Sequence, residues 1–177
     1  VTGGKIATGA VTAAKIGSGA VSQTKLASNV AGNGPVFSVY KGSSQGPITS
    51  STFTKVTYDT TEFNVGGAFT ADSKFLPTVA GYYQVNVGSY AQAAGGSLTR
   101  ILAMLKKNGS GEFKFGGDQI RATGNGTEGR SSLAALVYMN GTTDFIEVYV
   151  LPVGSGTLSF ASHQSNNYFQ AVLVRTA

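Results

Sequence analysis

The chain has 177 residues, of which 41% are hydrophobic and only 12% are charged, roughly half the charged share of an ordinary soluble domain. It contains 25 glycines and no cysteine, which excludes a disulfide scaffold, thiol catalysis and cysteine-based zinc sites. The net charge is +5: five lysines precede the first acidic residue, Asp59, whereas eight basic and eight acidic residues lie from residue 58 onward. These numbers predict one folded domain with an appendage, a neutral folded body, and a positive excess confined to the N-terminal arm.

Residues 1–34 are predicted to form a fibrous stalk, because residues 1–31 repeat with a period of ten. Lys5, Lys15 and Lys25 occupy one position of the repeat, and Ile or Leu follows each of them. The larger apolar residues fall five apart, a spacing that gives no apolar stripe on an α-helix and no heptad. A single arm has too little apolar mass to order itself, so the period favours several chains wound round one axis.

Two questions about this arm stay open at the level of sequence. A flexible linker rich in Gly, Ala and Ser is the alternative to a stalk, although linkers do not normally keep Lys and Ile in register. The lysines are interpreted as solvating charges on a thin stalk, with attraction to an anionic surface as the second interpretation.

Residues 35–177 are predicted to form an all-β knob. After the breaker residues 31–35, β-type segments alternate with turn signals, and no long helix is indicated. Strands are expected near 36–41, 53–58, 61–70, 81–90, 98–107, 112–121, 131–139, 144–151 and 167–175. Asn108-Gly109 and Asn140-Gly141 are hairpin signals. Short strands without helices predict a sandwich or barrel, and Ile146, Val148 and Val150 are expected on its core face.

Two of these strands, 133–139 and 168–174, are apolar on both faces. In a two-layer sandwich only one face of a strand meets the other sheet. The second face would remain as a large exposed apolar patch unless another subunit covered it. The pattern therefore predicts an oligomer, independently of the stalk.

Several stretches carry a resemblance to known families. Tyr58-Asp59, Phe63-Asn64, Gly67, Phe69-Thr70, Pro77 and residues 80–85 (AGYYQV) resemble the signature of the globular head of the first complement component, and residues 167–174 are similar to the last strand of that family. The match covers residues 36–177. The resemblance implies a jelly-roll β-sandwich of the kind shared with tumour necrosis factor, tight homotrimers, a fibrous stalk and ligand binding. Instead of collagen, the arm resembles the K-I-x-x-G-A-V-T repeats of tailed-bacteriophage fibres.

The sequence offers little for catalysis or for other ligands. The eight acids are scattered, no nucleophile elbow surrounds any serine, and the single histidine, His163, lies in a polar stretch, so no enzyme, resident metal or cofactor is expected. Residues 124–129 match G-x-G-x-x-G, but a strand is expected to follow them rather than the helix that a dinucleotide site needs. Basic residues form no stripe with aromatics and no apolar run reaches 18 residues, so neither nucleic-acid binding nor membrane insertion is expected. Three copies of one carboxylate on a trimer axis remain a possible metal site.

The two resemblances together predict a tail-fibre protein of the virion, extracellular, whose homotrimeric knob binds a host-surface receptor, either a carbohydrate or an envelope protein. Its N-terminal side would contact other tail proteins. The alternatives are a structural virion module without receptor binding and a secreted bacterial adhesin or lectin.

The trimer core is expected at Tyr82, Tyr83, Tyr168 and Phe169. Strand direction places both Asn-Gly turns and the 71–80 connection at the knob end where the stalk enters. The longer connections, near 42–52, 91–97, 122–130 and 152–166, are expected at the opposite end. Receptor contacts are expected there at Gln92, Asn125, Thr127, Glu128, Arg130, Ser155 and His163.

Overall fold

The structure is a computed structural model that describes residues 10–17, 20–21, 25, 33–116, 119–120 and 126–177. Its strands are β1 (Val36–Tyr40), β2 (Gln45–Ile48), β3 (Thr54–Lys55), β4 (Thr60–Val65), β5 (Gly81–Ala94), β6 (Leu98–Lys107), β7 (Ser110–Phe115), β8 (Gln119–Ile120), β9 (Glu128–Met139), β10 (Ile146–Gly154), β11 (Thr157–Phe160) and β12 (Tyr168–Thr176). A 3-10 turn lies in the arm at Ala13–Lys15. The knob is therefore all-β, as predicted.

The strands form two antiparallel sheets. In the first sheet the order is β2-β11-β5-β12-β1-β4, and β9 pairs with β5. In the second sheet the order is β3-β10-β6-β7, and β8 pairs with β6. The long strand β5 has β9 along one edge, while β12 and then β11 share its other edge. This arrangement is a jelly-roll sandwich with β5 at the centre of the first sheet.

The core between the sheets is rich in aromatic rings. Phe37 stacks on Phe69 with ring centroids 5.1 Å apart and meets Phe169 edge-to-face at 5.0 Å. Asn64 clamps the turn after β4, because its amide nitrogen donates to the carbonyl of Phe69 (2.8 Å) and its oxygen accepts from the N–H of the same residue (3.1 Å). Ile146, Val148 and Val150 of β10 are fully buried, as their alternation predicts. Asn64 and Phe69, both part of the complement-like signature, thus help to build the aromatic core.

Two strands were not predicted, β2 and β11, and one turn was assigned wrongly. Asn108 and Gly109 have φ values of 56° and 70° and join β6 to β7 as a tight hairpin, as predicted. Asn140-Gly141 does not make a hairpin, because β9 lies in the first sheet and β10 in the second. The Asn140 side-chain oxygen instead accepts hydrogen bonds from three successive N–H groups, those of residues 142–144, at 2.9–3.0 Å. This cap turns the chain from one layer to the other.

The chain enters the knob at one end, which we name the base. Gly34 lies against the Leu173 side chain, and the N–H of Ala177 donates to the carbonyl of Ala80, so both chain ends of the knob are there. Both Asn-Gly turns and the 71–80 connection lie at the base as well, as predicted. The Asp144 carboxylate joins these turns, because it accepts from Lys107 Nζ (2.8 Å) and from Asn108 Nδ2 (2.9 Å).

The opposite end, which we name the tip, holds the other connections. Ser162 Oγ donates to the carbonyl of Gly42 (2.6 Å), and the N–H of Leu98 donates to the carbonyl of Gly126 (2.7 Å). The 42–52, 91–97 and 152–166 connections are shorter than predicted. β2 and β11 lie within two of them, and β5 and β10 run further than expected. The tip is therefore mostly strand ends, with short turns between them.

The described part of the arm repeats one contact. Lys15 Nζ donates to the carbonyl of Ala10 (3.0 Å), and Lys25 Nζ donates to that of Ala20 (2.9 Å). Both contacts span five residues and are ten residues apart, which matches the period of the sequence. Val11 and Val21 are each 59% exposed, so a single chain leaves these apolar positions uncovered. The remaining residues of the predicted stalk lie outside the described residues.

Candidate functional site

One surface of the knob stands out because it carries several large apolar side chains that are about half exposed. It is the outer surface of the first sheet, which we name the open face. Tyr82, Leu136, Tyr138, Val172 and Val174 are 41–56% exposed there, and Phe63 and Val65 on β4 continue the surface. Near the base this face forms a groove of about 520 Å³ lined by Tyr82, Leu136, Val174 and residues 175–177. Such a patch is typical of an interface between proteins.

The four residues predicted for the trimer core divide between two environments. Tyr82 lies on the open face, and Tyr168 is half-buried on the same side of the sheet. Tyr83 and Phe169 are completely buried in the knob's own core. Their assignment to a subunit interface is wrong, because side chains alternate along a strand and these two point inward, out of a neighbour's reach.

The charge prediction also needs a correction, since two of the five early lysines belong to the knob. Lys41 is buried at the end of β1, and its Nζ donates to the carbonyl of Thr57 (2.7 Å). Burial lowers the pKa of Lys41, and the nearby Asp59 carboxylate works in the opposite direction. Lys55 is paired with Glu147 at 2.6 Å. The positive excess is therefore shared between the arm and the knob.

At the tip, the structure brings several predicted receptor residues onto the open face. In the β5–β9 register Gln92 lies opposite Glu128 and Tyr90 lies opposite Arg130. Gln92, Glu128 and Thr127 line one pocket of about 300 Å³, together with Ala93, Ala94, Gly95 and Ser159. Gln92 therefore shares one concave site with Thr127 and Glu128, which lie more than thirty residues further along the chain.

Tyr90 connects this pocket to two further predicted residues. The Arg130 guanidinium lies over the Tyr90 ring, 5.0 Å from its centroid, and the His163 ring meets it edge-on at 5.6 Å. The Tyr90 hydroxyl accepts a hydrogen bond from Gln92 Nε2 (3.0 Å). Burial chiefly raises the pKa of Tyr90, and the adjacent Glu128 carboxylate raises it further against the influence of Gln92 and Arg130. The tyrosine therefore stays a neutral hydroxyl that can accept from one neighbour and donate to another.

Of the other two predicted residues, the structure describes one. Ser155 is exposed, and its Oγ accepts from the N–H of Ser97 (3.1 Å), so it fixes the neighbouring turn rather than lining the pocket. Asn125 lies outside the described residues. Sequence reasoning missed Tyr90 and Ser159. Continuing the alternation of β5 by four residues would have placed Tyr90 and Gln92 on one face, whereas nothing in the sequence pattern predicts that β11 brings Ser159 beside them.

The described residues also bear on metal binding and on membrane insertion. Within the described ranges, no three histidine, aspartate or glutamate side chains gather as metal ligands. The described residues include no helix long and apolar enough to cross a membrane.

Comparison with known proteins shows similarity at the level of structure alone. No family model and no curated protein matches the sequence. The globular domain of zebrafish complement 1qA protein superposes with a TM-score of 0.55 at 14% identity, over 81% of this chain and 99% of that one. Murine APRIL matches with a TM-score of 0.57 at 12% identity, over 79% and 98% of the two chains. Eiger TNF from S. frugiperda matches with a TM-score of 0.56 at 14% identity, over 80% and 93%. The knob therefore has the jelly-roll fold of the complement globular head and tumour necrosis factor.

Proposed function

We propose that the chain is the receptor-binding tail-fibre protein of a tailed bacteriophage, a homotrimeric knob on a repetitive stalk. The observation that carries the proposal is the position of the tip cluster. Five of the predicted receptor residues (Gln92, Thr127, Glu128, Arg130, His163) gather at the end of the knob opposite the base, where the chain comes in from the arm. A fibre that is held through its N-terminal side presents that end to the host surface.

The homotrimer is supported by the open face. A single chain leaves Tyr82, Leu136, Tyr138 and Val174 exposed around the apolar groove near the base, and contact with further copies at this end of the open face would remove these side chains from water. The resemblance to the complement head implies three subunits. Association of several chains would also bury the apolar residues of the arm against each other. In this arrangement the N-terminal arms contact each other and the proteins of the tail.

The proposal is tested by cell binding. Fluorescently labelled full-length chain is added to a panel of bacterial strains, and bound label is measured by flow cytometry. Saturable binding to some strains is expected, and it should be lost in the double variant Glu128→Ala/Arg130→Ala. The matched control is Asp72→Ala/Lys74→Ala, which removes an exposed acid–base pair from the 71–80 connection at the base. Loss of binding in the control alone would place attachment at the base, and absence of binding to every strain would contradict receptor binding.

A structural virion module is the second candidate, and the apolar open face favours it. The knob would then serve only to clamp three chains together and keep the stalk in register. This function requires trimerisation but no ligand at the tip. Tip variants would then leave infection by the assembled particle unchanged, whereas a variant of the open face would abolish assembly.

A further inference from the structure

The tip pocket has a composition that points to one class of ligand. Its polar side chains are an amide (Gln92), a carboxylate (Glu128) and two hydroxyls (Thr127, Ser159), and its remaining walls are Ala93, Ala94 and Gly95. Among the described residues that line it, Glu128 is the only charged one. The pocket thus offers hydrogen-bond acceptors and donors in close proximity, with one negative charge, beside an apolar wall of small residues.

The side chain of Gln92 is held in place by a residue that does not itself line the pocket. Its Nε2 donates to the Tyr90 hydroxyl at 3.0 Å, while Tyr90 itself is only 5% exposed and is covered by Arg130 and His163. The amide is therefore held in one orientation by a buried group before any ligand arrives. A hydrogen-bonding group fixed in this way loses less entropy on binding than a free side chain.

The volume and charge of the pocket limit the class of ligand that it can bind. A volume of about 300 Å³ is at the lower end of the range for small-molecule sites, roughly 300–1,000 Å³. Amide, carboxylate and hydroxyl groups at short spacing match the vicinal hydroxyls of a sugar ring, each of which both donates and accepts. An anionic ligand would be repelled by the Glu128 carboxylate, the one charged side chain among the described lining residues. Tyr90 is too buried for its ring face to stack on a ligand, so recognition rests on hydrogen bonds.

We infer that this pocket binds a single neutral saccharide unit of a host-surface polysaccharide. This inference rests on the proposed receptor-binding function and specifies its ligand class. A site of this size gives weak binding on its own, and three copies in one knob raise the overall affinity through multivalency.

The test uses the full-length chain and a printed array of oligosaccharides. The neutral probes are glucan, galactan, mannan and chitin fragments; the acidic probe is oligogalacturonate and the cationic probe is chitosan. Binding to at least one neutral probe is expected, and it should change little between about 50 and 500 mM NaCl, because screening acts on charged ligands. Binding to chitosan or oligogalacturonate alone, or to none of the probes, would overturn the inference.

Variants then tie the binding to the pocket. Ala94→Leu narrows the site and should reduce binding more than about 10-fold, while Gln92→Leu removes the amide at similar size and should reduce it about 3- to 10-fold. Glu128→Gln removes the charge but keeps an acceptor, so a neutral ligand should lose less than about 10-fold. Ser155→Ala, at the tip but outside the pocket, is the control and should bind normally. The melting temperature of each variant is measured. If Ala94→Leu fails to fold, the loss of saccharide binding in Gln92→Leu alone tests the pocket.

Cell binding separates failure of this inference from failure of the proposed function. If Ala94→Leu and Gln92→Leu retain both their melting temperatures and normal attachment to a strain that Glu128→Ala/Arg130→Ala no longer binds, the saccharide pocket is wrong but the tip still binds a receptor. If the unaltered chain binds neither cells nor any probe, both the pocket and the proposed function are wrong.

Discussion

Tyr82 on β5 and Tyr138 on β9 are cross-strand partners whose ring centroids lie 5.5 Å apart, yet each remains 43% exposed. Next to them Leu136, the cross-strand partner of Gln84, is 56% exposed. Aromatic pairs on a sheet surface stabilise it, but they also leave much apolar area in water. We interpret the pair as half of a contact that a neighbouring subunit completes.

The first prediction is that a carboxylate at Leu136 separates the subunits. Leu136→Asp places an unpaired charge in the proposed interface, at an expected cost of about 3–5 kcal/mol. Light scattering of the full-length chain should show a trimer, and the variant should be a folded monomer by circular dichroism. Lys114→Asp introduces the same group on an exposed strand position of the second sheet and should remain trimeric. A monomeric parent chain would contradict the assembly.

The second prediction is that the knob trimerises without the arm, because the open face lies wholly within it. A chain of residues 33–177 retains Pro35, whose carbonyl accepts from the N–H of Leu173, and Gly34, which contacts the Leu173 side chain. It should elute as a trimer at micromolar concentration with a melting temperature close to that of the full chain. Dissociation of this shorter chain would mean that the arm, and not the open face, holds the subunits together.

The third prediction concerns the aromatic core. Phe169 is fully buried and meets the rings of Phe37, Tyr58 and Phe69 at 5.0–6.0 Å. Phe169→Ala should therefore lower the free energy of unfolding by about 3–5 kcal/mol in urea titrations at fixed protein concentration. Phe169→Leu keeps most of the volume and should cost much less. A loss within about 0.5 kcal/mol for the alanine variant would contradict the burial of this side chain.

The fourth prediction is a pH dependence at the base. Burial alone would raise the pKa of Asp144, but hydrogen bonds from Lys107 and Asn108 and from the N–H of Asn140 hold it below its usual value. A carboxyl whose pKa is lower in the folded than in the unfolded state stabilises the fold above the unfolded pKa, about 3.9. This stabilisation is lost as the pH falls through the folded pKa.

Asp144→Asn should consequently cost about 1–3 kcal/mol at pH 7, and the difference from the parent should shrink towards zero near pH 2. Urea titrations at the two pH values measure it. Asp72→Asn breaks an ion pair with Lys74 whose side chains are 55% and 31% exposed, so its effect at pH 7 should be within about 1 kcal/mol. A constant difference between Asp144→Asn and the parent at both pH values would show that Asp144 acts without its charge.

Local patterns were sufficient for most of the fold and insufficient for the tip. β6 was predicted with its observed bounds, because ten β-type residues are followed at once by Asn108-Gly109. β11 was missed since its four residues stand between glycine and polar residues, and its partners in β2 and β5 are remote in the sequence. The misassigned turn at Asn140 shows the same limit: the dipeptide allows a tight turn, but the packing of two sheets decides what it connects.

The candidate site was likewise predicted only in part from the sequence. Strand direction alone predicted which connections share the tip, and loop composition selected Gln92, Glu128 and Arg130. Their proximity comes from a register of twelve paired residues between β5 and β9, which no local signal specifies. Tyr90 lies at the end of a predicted strand and outside the loops, so loop composition does not select it, although Gln92, Arg130 and His163 all contact it.

The fifth prediction tests Tyr90 as a positioning residue. Tyr90→Phe removes the hydroxyl that accepts from Gln92 but keeps the ring between Arg130 and His163. We expect the free energy of unfolding to change by about 0.5–1.5 kcal/mol, the net contribution of one hydrogen bond. Binding to a strain recognised by the parent chain should weaken about 3- to 10-fold, because the Gln92 amide is no longer held.

A second tyrosine separates stability from binding in this experiment. Tyr83 is buried in the core, and its hydroxyl donates to the carbonyl of Val79 at 2.8 Å. Tyr83→Phe should therefore show a comparable loss of stability with unchanged half-saturation on the same cells. If Tyr90→Phe binds as the parent does, the hydroxyl does not position Gln92. If both variants lose binding equally, the loss reflects stability, because only Tyr90 adjoins the pocket.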